Sequence, residues 1–163
     1  MSPLELIRKL LSNNGVEFVE IQHQPTLTSE QSAQVRGVDL EIGGKALLIK
    51  TDKVYRLFVL SAALQIDSGA IRRFLEVRRT RFATTEELNQ LTGLVPGSIP
   101  PFGHPILPFE LFVDESIGRN QTIAFNAGSL THSIQMSVGD YLRVARPTIF
   151  RFSKQRRPSE PMT

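Results

Sequence analysis

Apolar residues Leu4, Ile7, Leu10 and Leu11 recur at helical spacing with Glu5, Arg8 and Lys9 on the other side, so the chain opens with an amphipathic helix that Gly15 ends. Residues 16–21 then alternate as a strand does, until His23-Gln24-Pro25-Thr26 breaks the ladder at its proline. Thr28 and Gln31 form a capping box for a short helix through Arg36, closed by Gly37. The runs 45–51 and 54–61 predict a hairpin turning at Asp52-Lys53. Asp67 or Ser68 caps a helix carrying Ile71, Phe74 and Leu75, and residues 78–83 follow as a strand. Thr84 and Glu87 cap the next helix, which stops at Gly93. Half of residues 93–108 are glycine or proline, which predicts a stiff, functional loop. Strands are expected over 110–114, 122–126 and 132–136, and a last helix over 137–145. Short helices interleaved with hairpins indicate an α+β class rather than regular βαβ winding. The domain is expected to span 1–147, with a basic, fraying, flexible tail over 148–163.

Composition narrows the function. At 163 residues, 40% hydrophobic and 21% charged, the chain reads as one globular domain able to bury a core. No apolar run is long enough for a transmembrane helix, and the N-terminus lacks signal-peptide character, so the expected compartment is the cytoplasm, with no membrane partner. The absence of cysteine removes disulfides and thiolate chemistry. His23, His104 and His132 lie too far apart in sequence for metal-ligand spacing, so no metal and no cofactor is expected. Net charge is only +3, yet Arg72, Arg73, Arg78, Arg79 and Arg81 crowd ten residues, and Arg151, Lys154, Arg156 and Arg157 crowd the tail. Such clusters either meet a phosphate backbone or form a solvated face.

Candidate chemistry starts at Lys45, where Gly43-Gly44-Lys45-Ala46 opens an apolar run. A lysine there either keeps a strand edge soluble or supplies a fixed positive charge to a phosphate or a developing oxyanion. The glycines lack the spacing and hydroxyl of a P-loop. Gly128 and Ser129, flanked by Asn126, sit between two predicted strands, either as a hairpin turn or as backbone donors that hold a water or an ester oxygen. His132 is close enough in sequence to contact substrate. No nucleophile elbow, triad context or loop carboxylate pair is present. Positioning and electrostatics with water as nucleophile remain, which suits an activated ester.

Four motifs in order, His23-Gln24-Pro25-Thr26, Gly43-Gly44-Lys45-Ala46-Leu47, the segment 93–103 and Asn126-Ala127-Gly128-Ser129, make the chain resemble the YbaK-type aminoacyl-tRNA deacylases and the editing domain of bacterial prolyl-tRNA synthetases. The resemblance implies a mixed, barrel-like sheet surrounded by helices, and trans-editing hydrolysis of mischarged tRNA carrying alanine, cysteine, serine or threonine. It implies that Lys45 contacts the terminal nucleotide, that Gly128 and Ser129 lie against the aminoacyl group, and that Pro101, Phe102 and Gly103 wall the pocket. His23, Thr26, Asn126 and His132 join them as substrate contacts, and Arg72, Arg73, Arg78 and Arg79 as the grip on tRNA, with a synthetase as a candidate partner. Relatives often carry a polar residue after the lysine, where this chain has Ala46. The alternative is a non-catalytic tRNA-binding or regulatory module that uses the same pocket.

Overall fold

The computed structural model describes residues 1–26 and 28–157. Over these the chain forms helices α1 (Pro3–Asn13), α2 (Ser29–Arg36), α3 (Ser68–Leu75), α4 (Thr85–Thr92) and α5 (Val138–Ala145). The strands are β1 (Phe18–Gln22), β2 (Gly44–Thr51), β3 (Val54–Ser61), β4 (Leu64–Ile66), β5 (Thr80–Phe82), β6 (Leu111–Asp114), β7 (Thr122–Asn126), β8 (His132–Ser137), β9 (Thr148–Phe150) and β10 (Ser153–Gln155).

Caps fix the helix starts as the sequence predicts. Thr28 Oγ1 accepts the Gln31 N–H at 3.1 Å, Asp67 accepts from Ala70, and Thr84 and Glu87 complete a reciprocal capping box. Gly37 and Gly93 close α2 and α4 in the left-handed conformation that only glycine adopts cheaply.

The strands form three ladders: β5-β2-β3-β6-β9, β1-β8-β7 and the ribbon β10-β4. Pairs β3–β6 and β6–β9 are parallel, and the remaining pairs are antiparallel. The sheet is therefore mixed, as expected, and as a barrel it is not strictly closed. Among the described residues the larger ladders meet at one isolated parallel bridge, Gly43↔Ala124.

The five-stranded sheet is buried on both faces, which explains why β2 and β3 read as continuous apolar runs. On one face Leu48, Leu57, Val59, Leu111 and Val113 join a core shared with α1, α4, α5 and the three-stranded sheet. On the other, Ile49, Phe58, Leu60 and Phe112 pack with Ile71 of α3 and with Phe150 and Phe152. Phe74 stacks on Phe150 with ring centres 3.9 Å apart.

The predicted fraying beyond Pro147 is corrected over residues 148–157. Strand β9 extends the five-stranded sheet and β10 pairs with β4, while Phe150 and Phe152 are buried. Burial of two aromatic rings outweighs the local polar, proline-containing composition that suggested a loose tail. The rest of the expected tail, 158–163, lies outside the described residues.

Candidate active site

Lys45 stands where the two large ladders meet. A Cβ on Gly44 would lie 2.6 Å from Ile123 Cδ1, and one on Gly43 would lie 3.0 Å from the Ala62 Cβ. These glycines let β2 approach β7, so the motif that opens the apolar run is a packing junction rather than a phosphate cradle. Period-2 alternation then turns Lys45 toward the phenylalanine-rich face, opposite Leu60.

Beside this junction is a cavity of about 420 Å³. Thr26, Ser32 and Arg36 line one side, Lys45 and Ala62 another, and Pro96, Gly97, Ile99, Asn126 and Leu130 the remainder. Burial pushes the Lys45 ammonium below its ordinary pKa, and repulsion from Arg156 adds to this while Glu30 opposes it. Among the described residues its hydrogen bonding amounts to one long contact, 3.4 Å to the Leu64 carbonyl. The cation is thus desolvated and under-bonded, an arrangement that favours an incoming anion.

Arg36 is the residue the sequence hid. It reads as a helix-ending cation, yet its Nε donates to Ser133 Oγ and its Nη2 to Asn126 Oδ1, both at 2.9 Å. Burial lowers its pKa to about 10. Asn126 Nδ2 in turn donates to the Gly97 carbonyl at 2.7 Å, tying the proline-rich loop to the end of β7. His23 completes the cluster from outside the cavity. Its Nε2 lies 2.7 Å from Ser133 Oγ, and its Nδ1 lies 2.8 Å from the Gln24 carbonyl, which can only accept, so Nδ1 carries a proton.

Thr26, Lys45 and Asn126 are the predicted residues that come together at the cavity. The other predicted residues do not line it. Phe102 is a core ring packed against Phe125 and Tyr141, and the Pro101 carbonyl accepts the Tyr141 hydroxyl at 2.6 Å. Gly103 lines a second cavity, of about 440 Å³, with His104 and Arg143. The pocket wall expected at 101–103 is supplied earlier in the same loop, by Pro96, Gly97 and Ile99.

Gly128, with φ of +76°, backs onto the start of α1, where an added Cβ would meet Pro3 at 2.8 Å. Ser129 Oγ accepts the Thr131 N–H at 3.1 Å and lies 3.3 Å from His132 Nδ1, closing the turn on itself. That turn reaches the cavity through Leu130, so Gly128, Ser129 and His132 shape the site from behind. Among the described residues no group of three or more His, Cys, Asp and Glu side chains converges as metal ligands, and no helix is long and apolar enough to cross a membrane.

The arginines predicted to form one cluster divide. Arg72 and Arg73 end α3 with guanidinium groups reaching back beside Gly69, 3.7 and 3.2 Å from where its Cβ would stand. Arg78 and Arg79 follow the helix, their backbone N–H groups held by Asp52 Oδ1 at the β2–β3 turn. That turn is roughly 20 Å along β2 from Lys45.

Comparison with known proteins identifies the family. Residues 23–144 match the aminoacyl-tRNA editing domain. The multifunctional Ser/Thr-tRNA deacylase ProXp-y of Escherichia coli (strain K12) is 35% identical over 151 residues, covering 89% of each chain. Proline–tRNA ligase of Shouchella clausii (strain KSM-K16) is 30% identical over 100 residues, 61% of this chain and 17% of the ligase. The crystal structure of a putative trans-editing enzyme for prolyl tRNA synthetase superposes with a TM-score of 0.79 at 23% identity, covering 94% of this chain and 98% of that one. The chain belongs to the aminoacyl-tRNA editing domain family.

Proposed function

We propose that this chain, an aminoacyl-tRNA deacylase by family, acts in trans to remove serine or threonine from mischarged tRNA, with Lys45 as the electrostatic centre of the reaction. The carrying observation is the desolvated, under-bonded Lys45 ammonium at the wall of a cavity large enough for an aminoacyl group and part of its ribose. The specificity rests on the E. coli relative named for Ser/Thr-tRNA and on the hydroxyl pair Thr26 Oγ1–Ser32 Oγ, 2.7 Å apart in the cavity lining. A site that hydrogen-bonds a substrate hydroxyl discriminates far better than an apolar pocket that senses one methylene.

In this reading water adds to the ester carbonyl, and Lys45 holds the negative charge that develops on its oxygen. The tetrahedral intermediate then expels the ribose oxygen, which takes up a proton, leaving free amino acid and uncharged tRNA. Arg36 and Asn126 keep the loop at Gly97 in place and so fix the cavity's width. The cytoplasm, where tRNA is charged, is the proposed compartment, and a synthetase the proposed source of substrate.

The test is hydrolysis of seryl-, threonyl-, alanyl-, cysteinyl- and prolyl-tRNA by purified protein and by Lys45→Ala. Turnover confined to the first two, lowered about 10²- to 10³-fold by the substitution, is the expected result. Unchanged rates in Lys45→Ala would remove the lysine from the mechanism. Tight tRNA binding without turnover of any substrate would favour a non-catalytic binding module.

A further inference from the structure

The β4–β10 ribbon turns the supposed tail into part of the site. Gln155 pairs with Leu64, the residue whose carbonyl accepts from Lys45. Two residues before Gln155, Ser153 is paired with Ile66, and Asp67 then caps α3. Arg151 forks onto Asp67 Oδ2 at 3.3 Å from both terminal nitrogens, which neutralises that carboxylate. Arg72 and Arg73 reach back toward the same helix start. Lys154 projects from the exposed side of β10, between the buried Ser153 and the exposed Gln155. From Leu64 to Asp67 is three strand residues, roughly 10 Å. Four exposed cations from two distant stretches of sequence therefore gather one short step from the reacting lysine, while Arg78 and Arg79 are anchored at the far end of the same sheet.

We infer that Arg72, Arg73, Arg151 and Lys154 form the surface that receives the phosphates adjoining the terminal adenosine of tRNA, and that Arg78 and Arg79 lie outside this footprint. The inference rests on the deacylase reading for the identity of the nucleic acid. Its own content is the location. A nucleotide chain whose aminoacyl end enters the cavity beside Lys45 leaves either past the β4–β10 ribbon, whose Leu64 carbonyl accepts from Lys45, or past the loop at Pro96-Gly97. Of these two sides, the ribbon carries the exposed cations and the loop has none. Backbone recognition of this kind holds the substrate without reading its bases, so it raises affinity for any tRNA and leaves the choice of amino acid to the cavity.

Arg72→Gln/Lys154→Gln is the variant of choice, because neither side chain makes a hydrogen bond or ion pair among the described residues, and an unchanged melting temperature confirms folding. Four readouts are compared: KM and kcat on seryl-tRNA, hydrolysis of 3′-seryl-adenosine, which has no phosphate, and the salt dependence of uncharged tRNA binding. The expected result is KM raised about tenfold with kcat unchanged, and unaltered hydrolysis of seryl-adenosine. The log–log salt slope should become shallower by about two, one for each lost phosphate contact. Arg78→Gln/Arg79→Gln should match the wild type throughout. Wild-type behaviour of the first variant, or the loss appearing in the second, would overturn the inference. If the wild type hydrolyses neither ester, the deacylase reading fails, and the salt slopes of tRNA binding still decide where the nucleic acid sits.

Discussion

Asp114 and Glu30 both turn their carboxylates away from water, and they keep opposite company. Asp114, at the end of β6, accepts the Ser116 N–H at 2.9 Å and the Phe152 N–H at 2.7 Å. Burial alone would raise its pKa, but these bonds, with the Ser116 and Ser153 hydroxyls, more than reverse that and hold it below the ordinary carboxylate range. Glu30, in the first turn of α2, faces Arg156 at 3.8 Å, too far for a hydrogen bond. Both its oxygens and Arg156 Nη1 are buried without hydrogen-bond partners among the described residues. Lys45, within electrostatic reach of that pair, is equally under-bonded. Where charge is fully hydrogen-bonded it fastens two pieces of chain together. Where it is left short of partners, it stands within electrostatic reach of Lys45 in the cavity wall.

The largest effect in this contrast belongs to the satisfied group. Asp114→Asn should cost about 2–4 kcal/mol of stability by urea denaturation at neutral pH, since one oxygen is replaced by a donor facing N–H groups. The folded-state pKa of Asp114 is depressed, so its contribution is fully present above the unfolded value near 4 and is lost as pH falls through the folded one. The gap between wild type and variant should therefore close in acid. A gap that persists there would assign the loss to packing.

A smaller effect of opposite sign is expected at Lys45. Its folded-state pKa is lowered by burial, so ionisation is penalised in the folded protein below that pKa and the penalty fades as pH rises through it toward the ordinary lysine value. Lys45→Met should raise stability by about 1 kcal/mol at neutral pH, with the gain shrinking in alkali, while deacylation is lost. Thermal melts between neutral and alkaline pH give the sign directly, and a destabilised variant would mean that Lys45 is structural.

Least affected should be Glu30→Gln/Arg156→Gln. Replacing both members of a poorly bonded, partly buried pair is expected to change stability by no more than about 1 kcal/mol. A loss comparable to that of Asp114→Asn would erase the distinction between the two carboxylates.

Local chemistry was legible and long-range chemistry was not. Thr84 with Glu87, Gly93, and the Asp52-Lys53 turn each act within a few residues, so their roles could be read from spacing. Arg36 could not, because its partners Asn126 and Ser133 lie 90 and 97 residues away. The same holds for 148–155, three-residue strands with too little alternation to register, whose partners β6 and β4 are remote in sequence. The segment 93–103 was legible as a loop, but which of its residues face the cavity depends on the Asn126–Gly97 bond and on the Tyr141–Pro101 bond that buries the other end.

The pairing order of the five-stranded sheet also has a kinetic side. Lys45 belongs to the β2–β3 hairpin, whose closure spans only a two-residue turn, whereas β6 and β9 join in parallel across long intervening stretches. Such nonlocal pairings bear the loop-closure entropy before any contact rewards it, and they form late. The charged strand is thus ready early in folding. The β4–β10 ribbon, whose Leu64 carbonyl accepts from Lys45, is itself a nonlocal pairing, so the surroundings of Lys45 are expected to be completed after the hairpin that carries it.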